Sequence, residues 1–580
     1  MSQSLSVREL AEFVCRSGDL YARAEGRRID ALDGIRAQEV LRERRKNKYT
    51  QYSSEVAFKN DFTLANEETT LSGRADGLLI TQKGCVLEEY KACGKFPVQP
   101  NQVDVGQLMI YGAMLALRSE LSITALKLIY VEADTFEEKC FSYEFDNSEL
   151  KKILAFMLLC FDLRRKRHWH RTAGRHSWLA HKKFPYPDFR FGQRALAGRV
   201  FKAVENGERL LIESPTGSGK TMGTIYPSLK GMKHLEKIFY LTSRNSGAIA
   251  AMKTIDLIDQ ENSNLVSIEI IAKEKLCPVE GMPCDPELCS YAKGYFDRSK
   301  EAVDALLEKK FISQKVVETV SEEHRVCPFE ISLDASLWVD IVVCDYNYVF
   351  DPFVRLQRFQ PPQGIHLLID EAHQLFPRVN SMFTVELDSL SLQDAITEAD
   401  TRLNGSLNLV QHEFLALKAS SESDRSQIET PQRFNKAVLS FLETIRENEI
   451  ELDGLLSLRD FVFACHRWSA ALDWEFETSF EYIIESRDDQ ILVTRSCIDS
   501  SAIIHESLGK YESSIAFSGT LSPLSMYQEL HGGETNLTAR SPNPFAKDQL
   551  EVMLVNDIPT YYQIQYPINF PVPPNPKCPP

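Results

Sequence analysis

Apolar and polar positions alternate along this chain in two different ways, and the change from one to the other divides it. Over 7–16 and 31–46 the spacing is helical, and over 54–64, 71–80 and 84–92 it alternates residue by residue as in half-buried strands. Residues 102–118 form a long apolar helix pattern. These elements predict one α/β unit over 1–160. Further on come short apolar runs without alternation: Leu210-Leu211-Ile212, Ile238-Phe239-Tyr240-Leu241, Ile341-Val342-Val343 and Leu367-Leu368-Ile369. Each ends near polar or Gly-rich residues, and helical pattern lies between them. Strands buried on both faces and separated by helices predict a parallel, doubly wound sheet. Ser514-Ile515-Ala516-Phe517 resumes it after two insertions. The first, 263–335, holds clustered cysteines, and the second, 376–498, is mostly helix-patterned and polar.

Composition narrows the class. The chain has 580 residues, 43% hydrophobic and 26% charged, and at roughly 100–200 residues per domain that predicts about three to six domains. Residues 1–30 include Arg8, Glu9, Glu12 and Arg16 and lack an apolar signal core. No run approaches the roughly 20 apolar residues of a membrane span. A soluble, cytoplasmic protein is the expectation. Thirteen cysteines, an odd number, argue against a disulfide framework. The net charge of −16 argues weakly against a nucleic-acid partner, but local patches make phosphate contacts. One patch runs Arg164-Arg165-Lys166-Arg167-His168-Trp169-His170-Arg171 and on to Arg175, His176, Lys182 and Lys183. A smaller one comprises Arg42, Arg44, Arg45, Lys46 and Lys48. Each reads equally as a phosphate-binding surface or a solvated helix face. Residues 161–183 are expected to be a basic linker, and the proline-rich end from Tyr566 to Pro580 to be disordered.

The sharpest chemistry lies where the second pattern begins. The strand 209–212 runs into Ser214-Pro215-Thr216-Gly217-Ser218-Gly219-Lys220-Thr221, and a helical pattern follows. Glycines let backbone N–H groups close around phosphates, and the helix N-terminus adds positive potential. Lys220 would reach the β- and γ-phosphates of ATP, and the Thr221 hydroxyl would ligate Mg²⁺. About 150 residues later Leu367-Leu368-Ile369 delivers Asp370-Glu371-Ala372-His373 to the sheet's C-terminal edge, where such folds bind ligands. Asp370 would hold Mg²⁺, and Glu371 would orient and deprotonate the attacking water.

The order Asp-Glu-Ala-His is that of superfamily 2 helicases. Phe184-Pro185-Tyr186 with Gln193 resembles the adenine-recognition segment of such motors. Tyr240-Leu241-Thr242-Ser243-Arg244 resembles the strand-end motif that touches the DNA backbone, and Ser518-Gly519-Thr520-Leu521 resembles motif III, which couples hydrolysis to strand movement. Between the P-loop and the acidic pair lie Cys277, Cys284, Cys289 and Cys327, separated by six, four and thirty-seven residues. Four thiolates bind either Zn²⁺ or a cubane iron–sulfur cluster, and the spacing is not that of two tight zinc-ribbon pairs.

With that quartet in place, residues 184–530 resemble the XPD/DinG-type iron–sulfur DNA helicases. Asp345-Tyr346-Asn347-Tyr348 resembles the family's segment ahead of the acidic pair. The resemblance implies a 4Fe-4S cluster on the four cysteines, a pore for single-stranded DNA closed by a helical arch, and 5′-to-3′ translocation. It also implies a second motor domain after motif III. Residues from Asn543-Pro544-Phe545 to Asp557 resemble the approach to one, and the sequence reads as truncated there. ATP binding with weak or absent unwinding is therefore the expectation for these 580 residues.

A second site is legible near the N-terminus. Glu89 and Lys91 are two apart on a strand and share a face, and Asp76 can meet them across a hairpin. Two carboxylates and a lysine suit Mg²⁺-assisted phosphodiester hydrolysis, with Lys91 stabilising developing charge. Gln107 and Tyr111 lie i, i+4 on the following helix, on one face. Residues 30–115 thus resemble the RecB-like branch of the PD-(D/E)xK nucleases. Such domains often place a metal-binding histidine on the first helix. Here Gly34-Ile35-Arg36-Ala37 leads to Gln38, so either the neighbouring Glu39 substitutes or the metal site is weakened. Cys15, Cys140 and Cys160 do not make the further quartet of some relatives.

The expected architecture is α/β: a RecA-like P-loop motor domain with iron–sulfur and helical arch insertions, preceded by a restriction-endonuclease-like domain. Its boundaries are 1–160 (nuclease), 161–183 (linker), 184–262, 336–375 and 499–530 (first motor domain), 263–335 (iron–sulfur), 376–498 (arch) and 531–580 (start of a second motor domain and tail). The function read from this is an ATP-dependent DNA helicase with a Mg²⁺-dependent nuclease module in DNA repair. The alternative is a nuclease whose motor half only binds ATP and DNA.

Overall fold

The structure, a computed structural model, describes residues 3–544 except 21–30, 66, 119–121, 260–262, 280–283, 422, 449, 451, 453, 477–478, 488–489 and 534–535. The segment from Phe545 to Asp557 and the proline-rich end expected to be disordered lie outside the described residues.

The N-terminal elements follow the two periods closely. They are β1 (Gln3–Ser6), α1 (Val7–Cys15), α2 (Ala31–Lys48), β2 (Tyr52–Leu64), β3 (Glu67–Thr81), β4 (Gly84–Cys93), α3 (Gln102–Arg118), β5 (Ile123–Glu132) and β6 (Glu138–Tyr143). The sheet runs β1-β3-β4-β5-β6, with β2 added on β3. β4 and β5 are parallel, as a crossover through α3 requires. The helix α3 is apolar all round because it is buried: Leu108, Ile110 and Met114 pack with Leu87, Leu126 and Leu128. On the sheet's other side Ala37 and Leu41 of α2 pack against Tyr90, Ile129 and Val131.

The expected linker is not one. Residues 161–181 are the second half of a single 35-residue helix, α4 (Asn147–His181). It starts with a capping box: the Asp146 carboxylate accepts the Glu149 N–H at 2.7 Å, and the Glu149 carboxylate accepts the Asp146 N–H at 3.1 Å. Its first half packs Leu150, Leu154 and Phe161 into the N-terminal core, and Leu179 enters a second core with Leu196, Val200 and Ile225. The basic run looked like a linker because its charges interrupt the apolar period, yet the charges are paired. Arg164 and Arg167 meet Asp304, Lys166 meets Asp162, and Arg165 meets Glu67. Arg171 and the buried Arg175 both clamp Asp340. Burial alone would raise the Asp340 carboxyl, but the two guanidiniums overcome it and hold it down to about 2.

The strands that follow are β7 (Arg209–Glu213), β8 (Lys237–Leu241), β9 (Ser267–Glu269), β10 (Phe311–Ile312), β11 (Ile341–Cys344) and β12 (Ile365–Asp370). Helices α5 (Gln193–Asn206), α6 (Lys220–Gly231), α7 (Asn245–Ile258), α8 (Lys273–Leu276), α9 (Tyr295–Leu307), α10 (Gln314–His324) and α11 (Pro328–Ser336) lie among them. The second insertion holds helices Ser389–Glu398, Asn404–Ser420, Gln432–Glu447 and Leu456–Leu472. It also holds a four-stranded antiparallel sheet not foreseen in the sequence: β13 (Val385–Asp388), β14 (Arg425–Ile428), β15 (Phe480–Arg487) and β16 (Gln490–Cys497), ordered β13-β16-β15-β14. After it come β17 (Ser513–Ser518) and β18 (Leu537–Arg540).

Eight strands form one sheet in the order β10-β9-β11-β8-β12-β17-β7-β18, and every neighbouring pair is parallel. Two boundaries shift as a result. The cysteine-bearing insertion gives β9 and β10 to this sheet, so 263–335 is not a separate unit. Residues 537–540, expected in a second motor domain, pair as β18 with β7 of the first.

Candidate active sites

Parallel strands bring their C-terminal ends to one edge, and the two halves of the nucleotide motif meet there. β7 leads through Ser214–Lys220 into α6. Gly217 and Gly219 take φ of 81° and 82°, the left-handed region that glycine enters without penalty. A Cβ at Gly219 would stand 2.5 Å from Gln193 Nε2, because that amide donates to the Gly219 carbonyl at 3.0 Å. Arg190 donates to the Gly217 carbonyl. Gln193 and Arg190 therefore grip the loop from α5 and the turn before it. Phe184 stacks on Phe189 at 3.8 Å, whereas Tyr186 is exposed.

Two strands away, β12 ends at Asp370. Lys220 lies close enough for its charge to act on Asp370, whose carboxyl is nonetheless raised by burial. Tyr240 of β8 lies beside both Asp370 and Thr221. Glu371 takes φ 54°, a conformation costly for a residue with a Cβ. The buried Tyr346 holds it there: its hydroxyl donates to the Asp370 carbonyl and lies 3.2 Å from that of Glu371. β17 separates β12 from β7 and links the halves. Ser518 Oγ lies 2.7 Å from His373 Nδ1 and 3.3 Å from Glu371 Oε2, while its carbonyl accepts the Ser214 N–H at 2.9 Å. A Cβ at Gly519 would sit 3.1 Å from Thr216 Oγ1 and 3.4 Å from Lys220 Nζ.

Beside this edge opens a cavity of about 730 Å³, lined by Thr242, Ser243, Arg244, Asn347, Lys275 and Arg355 among others. It joins the 240–244 and 345–348 motifs to α8 of the cysteine-bearing insertion. Lys275 and Arg355 were not singled out in the sequence, since lone charges on short elements carry no pattern.

The cysteines Cys277, Cys284, Cys289 and Cys327 are free and half-buried. Cys277 caps α8 and Cys327 opens α11, with burial pushing the Cys327 thiol up to about 11. Lys273 lies against both Cys284 and Cys327. Among the described residues no group of three or more His, Cys, Asp or Glu is gathered as a metal site. Four half-buried thiols on neighbouring segments, two of them (Cys284 and Cys327) beside the Lys273 ammonium, are the donor type an anionic thiolate-bound centre uses.

In the N-terminal unit all five expected residues converge. Lys91 Nζ donates to Glu89 Oε1 at 3.0 Å and to Gln107 Oε1 at 3.0 Å. Gln107 Nε2 donates to the Tyr111 hydroxyl at 3.4 Å, which in turn accepts the Arg74 N–H at 3.1 Å. The β3–β4 ladder ends with Gly77 opposite Glu88, and the Tyr90 N–H turns to Asp76 Oδ2 at 2.8 Å. Burial, with the Asp76 charge adding to it, raises Glu89 to about 7 although Lys91 opposes. Glu89 Oε2 is buried without a hydrogen-bond partner among the described residues. Two facing carboxylates with one orphaned oxygen fit a divalent cation.

The helix α2 behaves differently from expectation. Glu39 is exposed and does not replace a histidine. Gln38 donates to the Tyr90 carbonyl at 3.2 Å. The residue of α2 that reaches Asp76 is Arg42, at 2.6 Å, with Glu55 at 3.1 Å from its other nitrogen. Three more residues of this basic patch are paired: Arg45 with Glu88 and Glu138, Arg44 with Glu138, and Lys46 with Glu43, while Lys48 lies over the Tyr49 ring.

Fold and site together define a P-loop α/β domain carrying a DEAH-type acidic pair. Residues 232–392 match the DEAD_2 family model. The chain is similar to the "Probable ATP-dependent helicase" of Methanocaldococcus jannaschii, at 24% identity over 35% of this chain and 31% of that one. It is also similar to the "General transcription and DNA repair factor IIH helicase subunit XPD/RAD3" of Saccharomyces cerevisiae, at 22% over 64% of this chain and 62% of that one. A solved structure titled "XPD_Helicase" aligns at TM-score 0.44 and 17% identity, covering 61% of this chain and 63% of that one. The chain thus spans less than two thirds of the length of each relative. No helix among the described residues is long and apolar enough to cross a membrane.

Proposed function

We propose that the chain is the ATP-binding part of a DNA helicase motor of the XPD type, with 5′-to-3′ polarity on single-stranded DNA, joined to a Mg²⁺-dependent nuclease module. The observation that carries the motor reading is the meeting of Lys220 with Asp370 at one sheet edge, with Ser518 bonded towards both the P-loop and Glu371. The loop N–H groups and Lys220 would bind the phosphates of ATP, and Thr221 and Asp370 would hold the Mg²⁺ that accompanies it. Glu371, aimed by Tyr346, orients the attacking water and takes its proton. His373 and Ser518 pass the change at the γ-phosphate to β17. The cavity lined by Arg244, Lys275 and Arg355 suits a phosphate backbone.

Cys277, Cys284, Cys289 and Cys327 would hold a 4Fe-4S cluster, which supplies a rigid, electron-rich staple to the insertion. Anaerobically purified protein should then absorb visible light and contain iron, and Cys327→Ser should lose both. A colourless wild-type protein with bound zinc would contradict this.

In the nuclease module Asp76 and Glu89 would bind Mg²⁺, which lowers the pKa of a bound water. Lys91, held by Gln107, stabilises the charge that develops on the phosphate. Convergence of the five residues supports this reading. ATP hydrolysis stimulated by single-stranded DNA and lost in Lys220→Ala tests the motor. Mg²⁺-dependent cleavage of single-stranded DNA, lost in Asp76→Ala and in Lys91→Ala, tests the nuclease. Cleavage without ATP turnover would favour a nuclease whose motor half only binds ATP and DNA.

A further inference from the structure

We infer that Arg42 is a resident cation of the N-terminal site, holding Asp76 where a divalent ion would bind and yielding that place when a nucleic-acid phosphate draws it away. The inference rests on the reading of this site as a metal-dependent nuclease. Arg42 lies one helical turn beyond Gln38, on the helix that covers the sheet beside the site. Its Nη2 is 2.6 Å from Asp76 Oδ1, and its Nη1 is 3.1 Å from Glu55 Oε1. Side-chain exposure is only 17% for Arg42 and 13% for Asp76, so water does little to weaken the pair. The second Asp76 oxygen is engaged by the Tyr90 N–H. Asp76 is therefore bound at both oxygens.

Across from it stands the opposite condition. Glu89 gives Oε1 to Lys91 and leaves Oε2 buried and without a partner. An unpartnered buried carboxylate oxygen is costly, and it points to a ligand that is supplied from outside. A divalent ion joining Glu89 to Asp76 must come to Asp76 beside the Arg42 guanidinium. Two like charges on one carboxylate repel, so ion and guanidinium compete.

The guanidinium has an alternative partner that the ion lacks. Its planar fork matches a phosphate in two-point contact, and its Nε is buried without a partner where it now lies. A phosphodiester entering the site can take Arg42 from Asp76, which frees the carboxylate for the metal. Each ligand then strengthens binding of the other, as linkage requires. The device would load the metal when nucleic acid is present and leave the site closed when it is not.

The test is Mn²⁺ binding to the full chain without nucleotide, read by electron paramagnetic resonance. Arg42→Gln and Arg42→Met should each bind Mn²⁺ about tenfold tighter than wild type, from loss of a competing charge in contact with the carboxylate. Adding Asp76→Asn should remove the gained site. A single-stranded phosphorothioate oligonucleotide, which resists cleavage, should tighten Mn²⁺ binding to wild type and leave Arg42→Gln unchanged. Wild-type affinity that does not respond to the oligonucleotide overturns the inference, even if both variants fail to fold. So does a folded Arg42 variant that binds no tighter. Tighter binding in the variants with no cleavage by any form would sustain the inference while removing the nuclease reading.

Discussion

The two charged sites of this chain use similar residues under opposite conditions. At the motor edge Lys220 of the glycine loop and the carboxylates of Asp370 and Glu371 come together, fixed by contacts from a tyrosine and a serine. In the N-terminal unit a lysine and two carboxylates are closed upon one another and upon Arg42. One arrangement leaves its charges for a ligand, and the other has largely spent them internally. The difference comes from what carries them. At the glycine loop Lys220 and Asp370 sit on separate strand ends of the same edge, whereas α2, laid over its sheet, brings Arg42 onto Asp76 and Arg45 onto Glu88.

The largest effect expected from breaking this contrast is at Glu371. Glu371→Gln removes the base but not the loop, so ATP hydrolysis should fall by about 10²–10⁴-fold with ATP binding retained, as single-turnover and binding assays can separate. Hydrolysis at the wild-type rate would mean that Glu371 is not the base. Next is the joint between the two regions. Asp340→Ala leaves Arg171 and the buried Arg175 facing each other without their shared anion. It should cost about 3–5 kcal/mol of stability, seen as a lower melting temperature of the motor. An unchanged melting curve would show that α4 is not clamped there.

A smaller change is expected of Tyr346→Phe. The variant keeps the ring but loses the hydroxyl that holds Glu371 in its left-handed conformation, worth about 1–3 kcal/mol for a buried partner left unsatisfied. Turnover should fall roughly five- to a hundredfold, and ATP affinity should change little. Equal loss of affinity and turnover would argue for general unfolding. The mildest is a pH effect. Glu236 would be raised by burial, but its hydrogen bond from His366 at 2.9 Å lowers it to about 2, and Asp340 is likewise held at about 2. Both lie below their unfolded values, so their stabilisation is complete above about pH 4.5 and is lost as pH falls towards 2. Stability that rises on acidification across that range would contradict the assignment.

Much of this was legible in the sequence, for identifiable reasons. The central motor strands are buried on both faces, so apolar runs such as Leu367-Leu368-Ile369 announce them. The spacing of Glu89, Lys91, Gln107 and Tyr111 is dictated by strand and helix periods, and the structure brings those residues together with Asp76. What stayed hidden lacks a periodic signal. Ser267–Glu269 and Phe311–Ile312 are too short to show a period, and Leu537–Arg540 lies at the edge of the sheet, where burial demands little. The helix Asn147–His181 loses its apolar stripe where arginines take over contacts that hydrophobic residues usually make. Arg42 shows the same limit. Its charge is visible in the sequence, but the carboxylate it meets is 34 residues away and set by how α2 lies on the sheet.

The most direct test of the motor reading is equilibrium binding of Mg²⁺-ATP to this chain, titrated with a fluorescent analogue and compared with Lys220→Ala. The geometry predicts saturable binding by wild type and at least a tenfold weaker affinity in the variant, since a charge-assisted contact to phosphate is worth about 1.5–3 kcal/mol. Equal affinity in the two proteins, or no binding by wild type, would contradict the assignment of Ser214–Thr221 and Asp370 as a nucleotide site.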